Sequence, residues 1–116
     1  MRRGNWAVRL AALLAAAEAR PFHARHWNCA TFALAAVEAV TGNRPSVRVL
    51  PCLAASADSA GFPRIAPAFA RPGDIVLAGG PPRLGVVVEA GRAAFVGPRG
   101  LTTAATTDCS IAWRIG

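Results

Sequence analysis

Apolar residues recur at Trp6, Leu10, Leu13, Leu14 and Ala17, one face of a helix, so the first segment is predicted as an amphipathic helix that stops before Pro21. Asn5 stands where its cap belongs. A second helix is expected from about Cys29 to Thr41. Asn28 can cap it, Phe32, Ala36, Val37 and Val40 form its apolar face, and Gly42-Asn43 ends it. Between Arg44 and Ala70 the prolines and glycines leave room only for short pieces, one of them a helix from about Cys52 to Ala60.

After Pro72-Gly73 the pattern changes to short β-type runs: Asp74 to Ala78, Leu84 to Glu89, Ala93 to Gly97, Leu101 to Thr106 and Ile111 to Ile115. Gly79-Gly80-Pro81-Pro82, Ala90-Gly91 and Pro98-Arg99-Gly100 separate the first four, and an antiparallel meander is the expected result. Helices first and strands afterwards predict an α+β fold, with N-terminal helices packed on a small C-terminal antiparallel sheet or partial barrel. At 116 residues and 12.0 kDa the chain fits one domain, helical over about 5–60 and β over about 72–115.

Of the residues 53% are hydrophobic and 16% charged, which suits a modest core. Much of that apolar fraction is alanine, which buries little area, so Trp6, Trp27, Trp113 and the five phenylalanines must supply a large share of burial. Trp113 is read as a core anchor. The formal charge is +7, and all thirteen basic residues are arginine. They are spread thinly, without a cluster or aromatic interleaving, so a solvated surface is the simpler reading and nucleic acid is not expected as a partner. The start resembles a secretion signal, but Arg9 interrupts the apolar run and the run keeps helical spacing. No stretch approaches the ~20 apolar residues needed to cross a bilayer.

Cys29, Cys52 and Cys109 are irregularly spaced and include no CxxC pair, so no zinc site or disulfide framework is indicated; a Cys52–Cys109 bridge stays open. Metal and cofactor are not expected. Cys29 opens the second helix, where the amides and macrodipole favour negative charge, and a thiol there is poised as a nucleophile. The plainer reading is a small buried apolar residue. Asp74, after Pro-Gly at the start of a strand, is read as fixing a turn through side-chain bonds to the backbone. Asp108 and Glu89 have no acidic partner at a spacing suited to glycoside hydrolysis.

The helix-opening Cys29, then Ala70-Arg71-Pro72-Gly73-Asp74-Ile75-Val76-Leu77, a Gly/Pro turn and Leu84-Gly85-Val86-Val87-Val88 resemble the NlpC-type, papain-like cysteine hydrolases. Pro21-Phe22 and the closing Ala112-Trp113-Arg114-Ile115 are similar to small phage-encoded members found among tail genes. The resemblance places Cys29 at the nucleophile, Asn28 where Asp usually stands, and Gly85 on the strand glycine. Arg83 falls on the general-base histidine, and the third polar position falls near Phe95. It implies a papain-like fold, synthesis in a bacterial cytoplasm, association with a virion, and tail proteins or peptidoglycan peptides as partners.

A thiol hydrolase needs a group that takes a proton from sulfur and returns one to the leaving amine. Arginine stays protonated and cannot cycle that proton, although it could stabilise a nearby thiolate; Phe95 cannot orient an imidazole. The leading expectation is therefore a degenerate NlpC-like domain serving a phage tail or its assembly. The alternative is a working peptidase or amidase on peptidoglycan stem peptides, with His26 or His23 as an unusual base for Cys29. A third is a module that binds peptide or cell-wall fragments in the inherited cleft, where Trp27, Asn28 and Phe95 are the candidate binding residues.

Overall fold

The computed structural model describes residues 1–116. Three helices, α1 (Trp6–Ala17), α2 (Cys29–Thr41) and α3 (Leu53–Asp58), precede six strands. The strands are β1 (Arg64–Ile65), β2 (Ile75–Ala78), β3 (Arg83–Glu89), β4 (Arg92–Gly97), β5 (Gly100–Ala105) and β6 (Cys109–Trp113). They form one antiparallel sheet in the order β1-β6-β2-β3-β4-β5. The fold is α+β, as its periodicities predict.

Helix α2 begins and ends where its chemistry dictates. Asn28 Oδ1 accepts the Thr31 amide at 3.0 Å, Thr31 Oγ1 accepts the Asn28 amide at 2.8 Å, and this reciprocal capping box fixes the start. Gly42 adopts a left-handed φ of 79° and donates its amide to Glu38, which closes the other end. Asn5 behaves differently from expectation. It occupies the cap position of α1, but its side chain accepts no amide. That end is held instead by backbone bonds from Trp6 to Arg3 and from Arg3 to Val40 of α2.

Strand alternation sorts the apolar residues into two clusters. One face gives Ile75, Leu77, Leu84, Val86, Ala94 and Trp113, which pack with Ile115 against Leu10 and Ala17 of α1 and against Phe32, Ala36, Val37 and Val40 of α2. The other gives Val76, Ala78, Val87, Ala93, Phe95, Cys109 and Ala112. Strands β2 to β5 follow the expected meander, but β6 does not continue it. It returns across the fold to pair with β2, so Val76 lies between Gly85 and Ala112. The β2 run is buried along its whole length, and such a strand needs a neighbour on each side. The short β1 on the outer side of β6 was not anticipated by any apolar run.

The arginines are not simply solvated. Asp74 is fully buried, and its carboxylate receives Arg2 Nη2 at 3.0 Å and Arg114 Nε at 3.2 Å, besides the backbone amides of Arg71 and Ile115 at 2.9 Å each. The turn expected at Asp74 is present as the Arg71 bond, and the same carboxylate also ties in both ends of the domain. Arg2 continues to the carbonyls of Ile115 and Pro72. Burial, and then repulsion from Arg71, lower the pKa of the Arg2 guanidinium, while Asp74 opposes both. On the rim, Arg64 grips Asp58 through Nε at 2.8 Å and Nη2 at 2.6 Å, and the buried Trp113 indole donates to the same carboxylate at 2.9 Å. All three cysteines are free; Cys52 is exposed and its Sγ accepts the Ala55 amide at the start of α3.

Removing the Asp74 charge strands two guanidinium groups and two amides, so Asp74→Ala should lose about 3–5 kcal/mol in urea unfolding, or fail to fold. Arg114→Ala, on the more exposed partner, should cost clearly less. Hydrogen bonds from Arg64 and then Trp113 hold Asp58 down to about 2, below its ordinary value of 3.8. A depressed carboxylate stabilises fully above its unfolded pKa and loses that contribution as pH falls through the folded value. The Asp58 contribution should therefore disappear between about pH 4 and pH 2. Melting temperatures of Asp58→Asn should fall less steeply than wild type across that window.

Candidate functional site

Cys29 is the first residue of α2, partly exposed and packed against the helix-side cluster. The segment before it is a closed loop. His23 and Trp27 exchange backbone bonds of 2.8 and 2.9 Å, which pins the intervening residues into a tight turn. Within that turn His23 Nδ1 accepts the amides of both Arg25 and His26 at 3.2 Å, and the His26 ring stacks on His23 with centroids 4.6 Å apart. Both imidazoles are exposed, and neither is hydrogen-bonded to Cys29. The acceptor of His23 is committed to its own loop, so the sequence neighbourhood of these histidines and the thiol does not produce a bonded pair.

The two remaining family positions, Arg83 and Phe95, lie together. Arg83 opens β3 and sets its guanidinium 4.7 Å from the centroid of the Phe95 ring, a cation–π contact. Phe95 is buried in the cluster on the sheet face opposite the helices. Ala78 pairs with Arg83 on one side and with Cys109 on the other, so Arg83 and Cys109 share a face about 10 Å apart across one strand. The thiol nearest to Arg83 in register is thus Cys109. Burial and then the charge of Asp108 push that thiol's pKa up, against the pull of Arg83. A raised pKa and little exposure suit a structural cysteine.

Gly85, at the family's strand glycine, has a steric reason to be glycine. A Cβ there would come within 2.5 Å of Phe95 Cε1 and 2.8 Å of the Ala94 carbonyl oxygen. The Phe95 ring therefore fills the space over Gly85, and Arg83 covers that ring.

The candidate binding residues are engaged within the fold. The Asn28 amide caps α2 and donates to Ala24 at 3.0 Å. Trp27 is buried, tilted against Phe32 and covered by the Arg20 guanidinium at 4.1 Å. Its Nε1 is a buried donor without a partner. Phe95 is too enclosed to meet a ligand. No three His, Cys, Asp or Glu side chains converge as metal ligands, and no helix is long and apolar enough to cross a membrane.

The residues that do form a cavity were not marked by any motif. An apolar space of about 90 Å³ lies between α2, α3 and the sheet, lined by Ala30, Val37, Leu53, Phe62, Leu84 and Trp113 among others. Ala30 follows Cys29 directly, so the cavity opens beside the start of α2. Its walls come from five separated stretches of chain, and only the fold brings them together. A second, more open groove is lined by Leu14 of α1, Glu18 just after it, and Leu101 and Thr103 of the edge strand β5.

The profile of a family described as "Domain of unknown function (DUF6950)" matches the chain over residues 1–51 and 50–115. No curated protein matches it.

Gly85→Ala should force the Phe95 ring and Arg83 aside and cost about 1–3 kcal/mol, read as a lower denaturation midpoint with an unchanged slope. Phe95→Leu in the same background should return part of the loss, since a smaller side chain clears the added methyl.

Proposed function

The chain belongs to the DUF6950 family, and we propose that it is a catalytically silent NlpC-like domain that serves as an accessory or structural part of a phage tail or of its assembly. One observation carries the loss of catalysis: the only two imidazoles are stacked on each other, with the His23 acceptor committed to its own loop and neither ring bonded to Cys29. Arg83, at the position of the missing base, covers Phe95 and shares a sheet face with Cys109. A sulfur at a helix start then has no partner to carry protons between the attacking thiol and the leaving amine. The link to a tail rests on the sequence resemblance alone. It is compatible with a chain that spends Asp58, Asp74, Arg2, Arg64 and Arg114 on holding its shape.

A second reading, a module binding peptide or cell-wall fragments without turnover, draws on the apolar cavity beside α2. It needs no proton shuttle and would use the cavity as a subsite for one aliphatic side chain.

Purified protein incubated with muropeptides and with generic amide substrates should release no product above that of Cys29→Ala. Alkylation of Cys29 by iodoacetamide should keep the same rate across pH 5–9 in His23→Ala and His26→Ala as in wild type. Amide cleavage that is lost in Cys29→Ser, or an alkylation rate that falls when either histidine is removed, would restore the peptidase reading. Calorimetric binding of a stem peptide, weakened by Ala30→Phe in the cavity wall, would favour the binding module over the tail component.

A further inference from the structure

Residues 46–50 lie outside the helices and the sheet and form a strap whose partner on one side is a pair of serine hydroxyls. Ser59 Oγ accepts the Arg48 amide at 2.7 Å and lies 3.4 Å from the Arg48 carbonyl oxygen. Ser56 Oγ accepts the Leu50 amide at 2.8 Å and lies 3.3 Å from the Leu50 carbonyl oxygen. The two serines, three positions apart at the end of α3, thus occupy the places a neighbouring strand would take. In extended backbone the amide and carbonyl of successive residues point to opposite sides. With Arg48 and Leu50 turned toward α3, the amides and carbonyls of Val47 and Val49 face away, and none of them has a partner in the protein. Val49 is 96% exposed, although a β-branched residue on an unpaired edge invites another chain.

We propose that this strap is a docking edge for an extended, acidic peptide segment of a partner protein, which adds as a strand along Val47 and Val49. Charge selects the occupant. Arg44 and Arg48 are exposed and form no ion pair, and the only acid of nearby α3, Asp58, is taken by Arg64. Within a formal charge of +7 these cations remain available to an incoming carboxylate. A second copy of the same strap fits poorly, because antiparallel pairing would set Arg44 and Arg48 of one chain against those of the other. Pro45 and Pro51 bracket the segment, cannot donate to a ladder, and confine pairing to the residues between them. Backbone bonds would supply affinity, and alternating acidic side chains would supply register and salt dependence.

A fluorescein-labelled, end-blocked hexapeptide of alternating glutamate and valine tests the idea by anisotropy. It should bind, bind several-fold more weakly when salt is raised from ~50 to ~300 mM, and outcompete the peptide with lysine in place of glutamate. N-methylation of its alternate amides should abolish binding. Val49→Pro removes an outward amide that has no internal partner, so it should weaken binding about tenfold while near-ultraviolet circular dichroism stays unchanged. Should that variant misfold, Arg48→Gln, whose backbone bonds are intact, should still reduce affinity. Equal binding of the lysine peptide, survival of binding after N-methylation, or sedimentation as a strap-dependent dimer would overturn the proposal. So would binding lost in Thr103→Pro but kept in Val49→Pro, which would place the peptide on the β5 edge.

Discussion

A single buried carboxylate holds this domain in register. Asp74 sits at the mouth of β2 with no exposure to water, and it is ionically satisfied only because Arg2 arrives from the start of the described chain and Arg114 from the end. Four donors converge on its two oxygens, two of them backbone amides, so the desolvation that would oppose a lone buried charge is offset by bonds of fixed geometry. The consequence reaches beyond the local turn. Arg2 also bonds the carbonyls of Pro72 and Ile115 and lies over Trp6, so the entry into α1, the start of the sheet and the exit from β6 share one anchor. The helical layer and the sheet are thereby aligned before any side chain of the candidate site is considered.

That alignment decides what the thiols can reach. Because β3 alternates, Leu84 and Val86 face α2 while Gly85 and Val87 face the second cluster, and Arg83 follows the latter pair. Cys29 packs on the helix side. The thickness of a sheet separates the guanidinium over Phe95 from the cluster that holds the helix-opening sulfur. The histidines close to Cys29 in sequence are spent on a five-residue loop whose geometry is set by the His23–Trp27 backbone pair. Proximity along the chain and proximity in chemistry have come apart at this position.

Much of the architecture was legible in the residues themselves. The periodic apolar faces of α1 and α2, the Asn28 cap and the Gly42 stop depend on interactions within a few positions, and these the chain states directly. The return of β6 to β2, the short β1 and the use of arginines as internal ties depend on contacts across tens of residues, and composition carries no sign of them. Asn5 illustrates the limit. Its type suits a cap, but the Arg3–Val40 backbone bond had already positioned that helix end. The cavity beside α2 was invisible for the same reason, since alanines, a phenylalanine and a tryptophan from separate stretches say nothing of a shared space until they are folded together.

The closure of Arg2 onto Ile115 has a temporal side. A ribosome delivers residues in order, and α1 and α2 emerge long before β6. Until the final strand leaves the exit tunnel, Asp74 lacks Arg114 and the Ile115 amide, and β2 lacks one of its two neighbours. The helix-facing cluster therefore lacks Trp113 and Ile115 until β6 joins β2, so docking of that strand and completion of the Asp74 ion cluster are a single event.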